Sequence, residues 1–165
     1  MKKIFVACFI FLSSIGMIAK PFKFEKEKLV YFGNFGLQFG TYTAINVSPT
    51  IGYKITEKFV AGLGPLFNYI SDNYSQYSNF SFGARLYGKY FIQENIYLTG
   101  DYQLINNYWI SNNYRSWLDI PLLGAGYRQS LGGDFYLDFS VLWNLNPTAT
   151  GYYSNPIIRG GVSFR

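Results

Sequence analysis

The sequence has no histidine, a single cysteine (Cys8), and only 14% charged residues. Each shortage excludes something. Without an imidazole, general-base activation near neutral pH would fall to a strongly shifted Asp, Glu or Lys, and no motif marks one. Cys8 lies inside the apolar N-terminal run, so no disulfide framework and no thiolate metal site is available beyond it. No later stretch approaches the about 20 apolar residues that a membrane-spanning helix requires. The glycine-rich pieces Gly62-Leu63-Gly64 and Gly124-Ala125-Gly126 are not phosphate loops, because no helix is expected to follow them. The chain therefore reads as a non-enzyme, with no cofactor and no metal.

Aromatic residues are plentiful, at 21% of the chain. Soluble domains average about 25% charged residues. A shortage of charge beside an excess of Tyr and Phe suits a surface that meets lipid and carries aromatic belts at its two interfaces. The N-terminus presents Lys2 and Lys3, the apolar run Ile4 to Leu12, and then small residues up to Ala19. That order describes a secretory signal peptide over residues 1–19. Its removal leaves a formal charge of +3, from twelve basic and nine acidic side chains. Charge so weak and scattered gives no reason to expect nucleic acid as a partner. Residues 20–28 alternate in charge and are expected to form a periplasmic lead-in to a barrel at 29–165.

Eight stretches then alternate large apolar with small or polar residues, a period-2 strand signal. They run Val30–Phe39, Ile45–Ile55, Phe59–Ile70, Phe80–Phe91, Ile96–Ile105, Trp117–Gln129, Phe135–Leu145 and Pro156–Phe164. In the seventh, Leu137, Phe139, Val141, Trp143 and Leu145 share one face, with Asp138, Ser140 and Asn144 on the other. The connections alternate in kind. Thr56–Lys58, Gln93–Asn95 and Ser130–Asp134 are tight turns, whereas Asp72–Asn79, Asn106–Arg115 and Asn146–Asn155 are longer and rich in Asn, Ser and Tyr. This pattern predicts an all-β fold, an eight-stranded antiparallel up-and-down transmembrane β-barrel in the bacterial outer membrane.

A turn centred on Glu57 pairs Ile51 with Leu63 and Val47 with Phe67; a turn centred on Gln93 would set Gly88 against Leu98 and Leu86 against Gly100. Pro49, Pro65 and Pro121 fall inside strands, where bulges, or strand portions projecting beyond the membrane, are expected because proline lacks a ladder donor. The sixth stretch alternates least, since Ile120, Leu122 and Leu123 interrupt it.

Alternation does not say which face looks inward. The less apolar face carries Asn34, Ser48, Thr50, Gly62, Gly64, Asn68, Thr99, Gly126 and Ser140, where a soluble surface would be rich in Lys and Glu. Small polar residues suit the lumen of a narrow barrel. Its charges are Lys54, Arg85, Lys89, Asp101, Arg128, Asp138 and Arg159. They read as a salt-bridged plug, with an anion site lined by Arg85, Lys89 and Arg159 as the alternative. A soluble secreted lipocalin-like carrier is the alternative for the barrel as a whole. Surface adhesion or ligand binding would fall to the loop aromatics Tyr74, Tyr77, Tyr108, Trp109, Tyr114, Tyr152 and Tyr153, facing an extracellular glycan or protein.

The segments Asn34–Gly40, Ser48–Ile55 and Tyr153–Phe164 resemble the small outer-membrane barrel proteins of Bacteroidetes-type bacteria, akin in kind to OmpX/OmpW-like eight-stranded barrels. The resemblance implies outer-membrane lipid as the surroundings and no catalytic residues. It also implies that the last strand is read by the barrel-insertion machinery. Val162 and Phe164 fit that signal, and Arg165 follows the phenylalanine.

Overall fold

Alternating side chains give a pleated strand two unlike faces, and closing such strands into a ring puts one face inside. The computed structural model describes residues 25–38, 42–72, 77–109, 114–146 and 155–164. The expected leader lies outside them. After a helical turn at Lys26–Lys28, the strands are β1 (Leu29–Gln38), β2 (Tyr42–Lys54), β3 (Phe59–Asp72), β4 (Tyr77–Phe91), β5 (Ile96–Trp109), β6 (Tyr114–Gly132), β7 (Phe135–Asn144) and β8 (Ile157–Phe164). Each pairs antiparallel with the next, and β8 returns to β1, where Tyr31–Asn34 meet Phe164–Gly161. The result is a closed up-and-down barrel of eight strands.

The faces follow strict parity. In β7, Phe139 and Trp143 are 53% and 49% exposed, while Asp138 is 5% exposed. The first tight turn closes as its centre at Glu57 requires. The Ile55 amide donates to the Phe59 carbonyl at 2.9 Å, and Ile51 pairs with Leu63 and Val47 with Phe67.

The second tight turn corrects the expected register by two residues. The Ile92 amide donates to the Ile96 carbonyl at 2.9 Å, which centres the turn on Glu94 rather than Gln93. Gly88 therefore faces Gly100, Leu86 faces Tyr102, and Ala84 faces Leu104. A shift of two leaves every side chain on its own face.

The prolines do not make bulges. The β2–β3 ladder stops after Val47–Phe67 and resumes in the same register at Ile51–Leu63. Facing prolines withhold hydrogen bonds without adding a residue. The Ser48 hydroxyl donates to the Pro65 carbonyl at 3.1 Å and satisfies it there. Pro121 keeps register with Tyr102, and its carbonyl accepts the Leu145 amide at 2.9 Å. The register shift falls instead at Ser130/Gly132, where Gly132 and Gly133 have φ of 111° and 57°. Left-handed backbone of that kind needs glycine.

Two expected loops prove largely to be strand. β4 begins at Tyr77, β5 runs to Trp109 and β6 starts at Tyr114, with Trp109 paired to Tyr114. Asn and Ser are poor strand formers in isolation, but an existing ladder supplies partners for their amides and overrides propensity.

The interior is not uniformly polar. Ile120 and Leu122 keep the alternation of β6 and point inward, packing with Leu66, Ile105 and Leu142, while Leu123 faces out. A second inward cluster, nearer the tight turns, joins Val30, Phe32, Val60, Tyr87, Phe91 and Tyr97.

Inward glycines admit these side chains. A Cβ on Gly124 would fall on the Val141 carbonyl oxygen, whereas one on the outward Gly100 meets nothing within 4 Å. Gly124→Val is expected to exceed the about 1–3 kcal/mol typical of overpacking and to abolish heat-modifiable gel mobility. Gly100→Ala should migrate as wild type.

Candidate functional site

Charged side chains share the interior with these apolar clusters. β4 contributes Arg85 and Lys89, β5 Asp101, β6 Arg128, β7 Asp138 and β8 Arg159, all on inward positions. Arg85 Nη2 and Arg159 Nη1 both reach Asp101 Oδ2 at 2.6 Å. Gln103 Nε2 donates to Asp101 Oδ1 at 3.4 Å. Lys89 Nζ donates to Asp138 Oδ1 at 2.9 Å, Arg128 Nε stands 3.6 Å from the same oxygen, and the Ser163 hydroxyl donates to Asp138 Oδ2 at 2.6 Å. Each carboxylate thus serves two cations. Lys54, the seventh expected member, is half-buried at the end of β2.

Aromatic rings complete the surroundings. Lys89 Nζ lies 4.2 Å from the Phe32 ring centre and 4.6 Å from that of Tyr97. The Arg128 guanidinium lies 4.6 Å from the Phe91 ring and 4.9 Å from that of Tyr136. Rings present a negative face to a cation and so replace part of its lost hydration. Sequence reasoning named the charges but missed Gln103, Ser163 and these aromatics. The available signal was position: Gln103 follows Asp101 by two residues and so shares its face.

Toward the opposite end from the tight turns, asparagines pair between neighbouring strands. Asn46 bonds to Asn68, and Asn79 Nδ2 and the Ser81 hydroxyl donate to Asn107 Oδ1 at 2.8 and 2.7 Å. The Asn144 amide donates to Asn155 Oδ1 at 2.6 Å. Asn79, Asn107 and Asn155 are expected in loops, and Asn79 and Asn107 instead lie in β4 and β5.

The architecture has counterparts among solved structures. It superposes on the N-terminal β-barrel domain of Pseudomonas aeruginosa OprF with a TM-score of 0.52 at 16% identity, over 83% of this chain and 96% of that one. It also superposes on the Yersinia pestis outer membrane protein Ail, in a phospholipid bilayer nanodisc, with a TM-score of 0.52 at 10% identity, over 84% and 99%. The fold is that of small outer-membrane barrels. No protein-family profile and no curated protein sequence matches the chain.

The expected loop aromatics are not gathered into one described surface. Tyr74, Tyr152 and Tyr153 lie outside the described residues. Tyr77 and Trp109 stand at strand ends, and Tyr114 is exposed opposite Trp109. Tyr108 is half-buried in the wall, with the Arg115 guanidinium 5.8 Å from its ring. Arg115 also donates to Asn106 Oδ1 at 3.2 Å and to the Phe80 carbonyl at 3.1 Å. Among the described residues no group of three or more Cys, Asp or Glu could hold a metal ion.

Removing one partner from a buried ion pair leaves the other charge uncompensated. Asp138→Asn should therefore cost about 3–5 kcal/mol, read as a lower urea midpoint of the refolded barrel. The exposed Asp119→Asn should stay within about 0.5 kcal/mol of wild type.

Proposed function

We propose that this chain is an integral outer-membrane protein with a non-catalytic, structural or surface-interaction role. Its lumen is sealed by its own side chains. The observation that carries the reading is the exterior. Among outward-facing strand residues, only Arg115 and Asp119 are charged, both in the first part of β6. Apart from Asn106 and Gln129 near strand ends, the rest of that face is apolar, aromatic or small, with Leu63 66% and Ile158 79% exposed. Water would not tolerate so continuous an apolar belt on a monomer, whereas lipid favours it.

Aromatic rings cluster near both rims. Tyr31, Phe164 and Phe135 stack at one, with ring centres 5.2 and 6.0 Å apart. Phe67, Phe80, Phe82 and Trp117 form a chain at the other, spaced 6.3–6.4 Å. Girdles of this kind sit at membrane interfaces. The leader expected at residues 1–19 supports export, and the likeness in fold to OprF and Ail supports the outer membrane. The outward Val162 and Phe164 of β8 are the residues offered to the insertion machinery.

A sealed lumen follows from width. An eight-stranded barrel is only wide enough for its own side chains, and here two apolar clusters fill the interior beside the ion pairs.

Ala84 tests the exterior without loss of packing, because it faces out at the middle of β4. Ala84→Arg should cost about 2–4 kcal/mol on folding into vesicles, while Ala84→Leu folds at least as well as wild type. Equal folding of both variants would favour a soluble carrier. In planar bilayers no large, stable conductance is expected; a steady channel would refute the sealed lumen.

A further inference from the structure

Charge inside the barrel does not balance. Arg85, Lys89, Arg128 and Arg159 converge on only two carboxylates, Asp101 and Asp138. Two cations on one carboxylate leave a net positive charge and repel one another, and water is largely excluded here: Arg85 and Lys89 side chains are 6% and 9% exposed. Buried charge without a full counter-charge is costly. Several buried polar atoms of the lumen lack a hydrogen-bond partner, Arg128 Nη2 among them. Arg85 Nε is buried and has no hydrogen-bond partner, although Nη2 of the same guanidinium is bound to Asp101.

A small cavity lies against the excess. Its volume is about 10 Å3, and three of the four cations, Arg85, Lys89 and Arg159, line it. Asn34, Thr99 and Ser140 add donors, and Asp138 is the one carboxylate on its wall. A space of that size is at the lower limit for one water-sized occupant.

We propose that this cavity is a binding site for a small monovalent anion, chloride under ordinary conditions. The alternatives fail on size and charge. Sulfate and phosphate are too large, and the carboxylate of Asp138 opposes a second negative charge. A neutral water would satisfy donors but leave the excess positive charge untouched. Chloride is larger than water, so its binding requires the Lys89 and Arg159 side chains to draw back from the cavity. The site concerns the interior alone, so a conducting barrel would overturn the sealed lumen without touching this proposal.

The test uses the refolded full barrel at constant ionic strength in sodium chloride, sodium bromide or sodium gluconate. The urea midpoint should rise with chloride and bromide concentration and stay flat in gluconate. Asn34→Asp places a fixed negative charge on the cavity wall, so the halide dependence should vanish in that variant. Its midpoint in gluconate should equal or exceed that of wild type. Crystals of the wild-type barrel grown in bromide should show an anomalous peak between Arg85, Lys89 and Arg159, which decides the matter even if the variant fails to fold. Equal midpoints in all three salts, an unchanged halide dependence in Asn34→Asp, or bromide crystals without that peak would each overturn the proposal.

Discussion

The narrowness of an eight-stranded ring governs the rest of this structure. Its interior is only as wide as the side chains that fill it, so every large inward residue needs a small one across from it. A Cβ at Gly52 or Gly62 would meet the Tyr87 hydroxyl, and one at Gly126 would meet the Tyr97 ring. The glycines of β2, β3 and β6 are thus the space into which the tyrosines of β4 and β5 fold. Without them the wall could not close.

The same confinement explains how the charges are held. There is no room for a hydration shell, so cations gather on shared carboxylates and over aromatic rings. Asp101 accepts two guanidinium groups on one oxygen, and Asp138 accepts Lys89, the Ser163 hydroxyl and the approach of Arg128. These contacts join β4, β5, β6, β7 and β8 across the lumen. They tie strands that share no ladder, such as β4 to β7 and β5 to β8. The rings of Phe32, Phe91 and Tyr97 lie directly against Lys89 and Arg128.

The exterior answers to a different solvent. Outward positions avoid charge along nearly the whole height of the sheet, and their aromatics concentrate toward the rims. Ladder defects are kept small. Where Pro49 and Pro65 face each other, the pairing lapses for three residues and resumes in step, and Ser48 covers a carbonyl left over. Closed pairing suits the proposed membrane setting, because an unsatisfied amide would have no water to turn to in hydrocarbon.

Much of this was legible along the chain because a strand's period of two is a local property. Phe139 and Asp138 announce opposite faces wherever the strand is placed, and eight such segments with alternating short and long connections leave little choice but a closed meander. The seven lumen charges were readable for the same reason. What neighbouring residues could not reveal was which of them meet. Lys89 and Asp138 are 49 positions apart, and Arg159 and Asp101 are 58 apart. Their partnership depends on how far each strand is staggered when the ring closes. The inward turn of Ile120 and Leu122 is likewise a tertiary outcome, since an apolar side chain is welcome on either side of a wall whose interior is packed and whose exterior is greasy. The sequence by itself determined the strands, their faces and the kinds of residue confined within; closure decided the stagger, the pairing of charges and the small void they surround, because those depend on distances across the ring that no local pattern encodes.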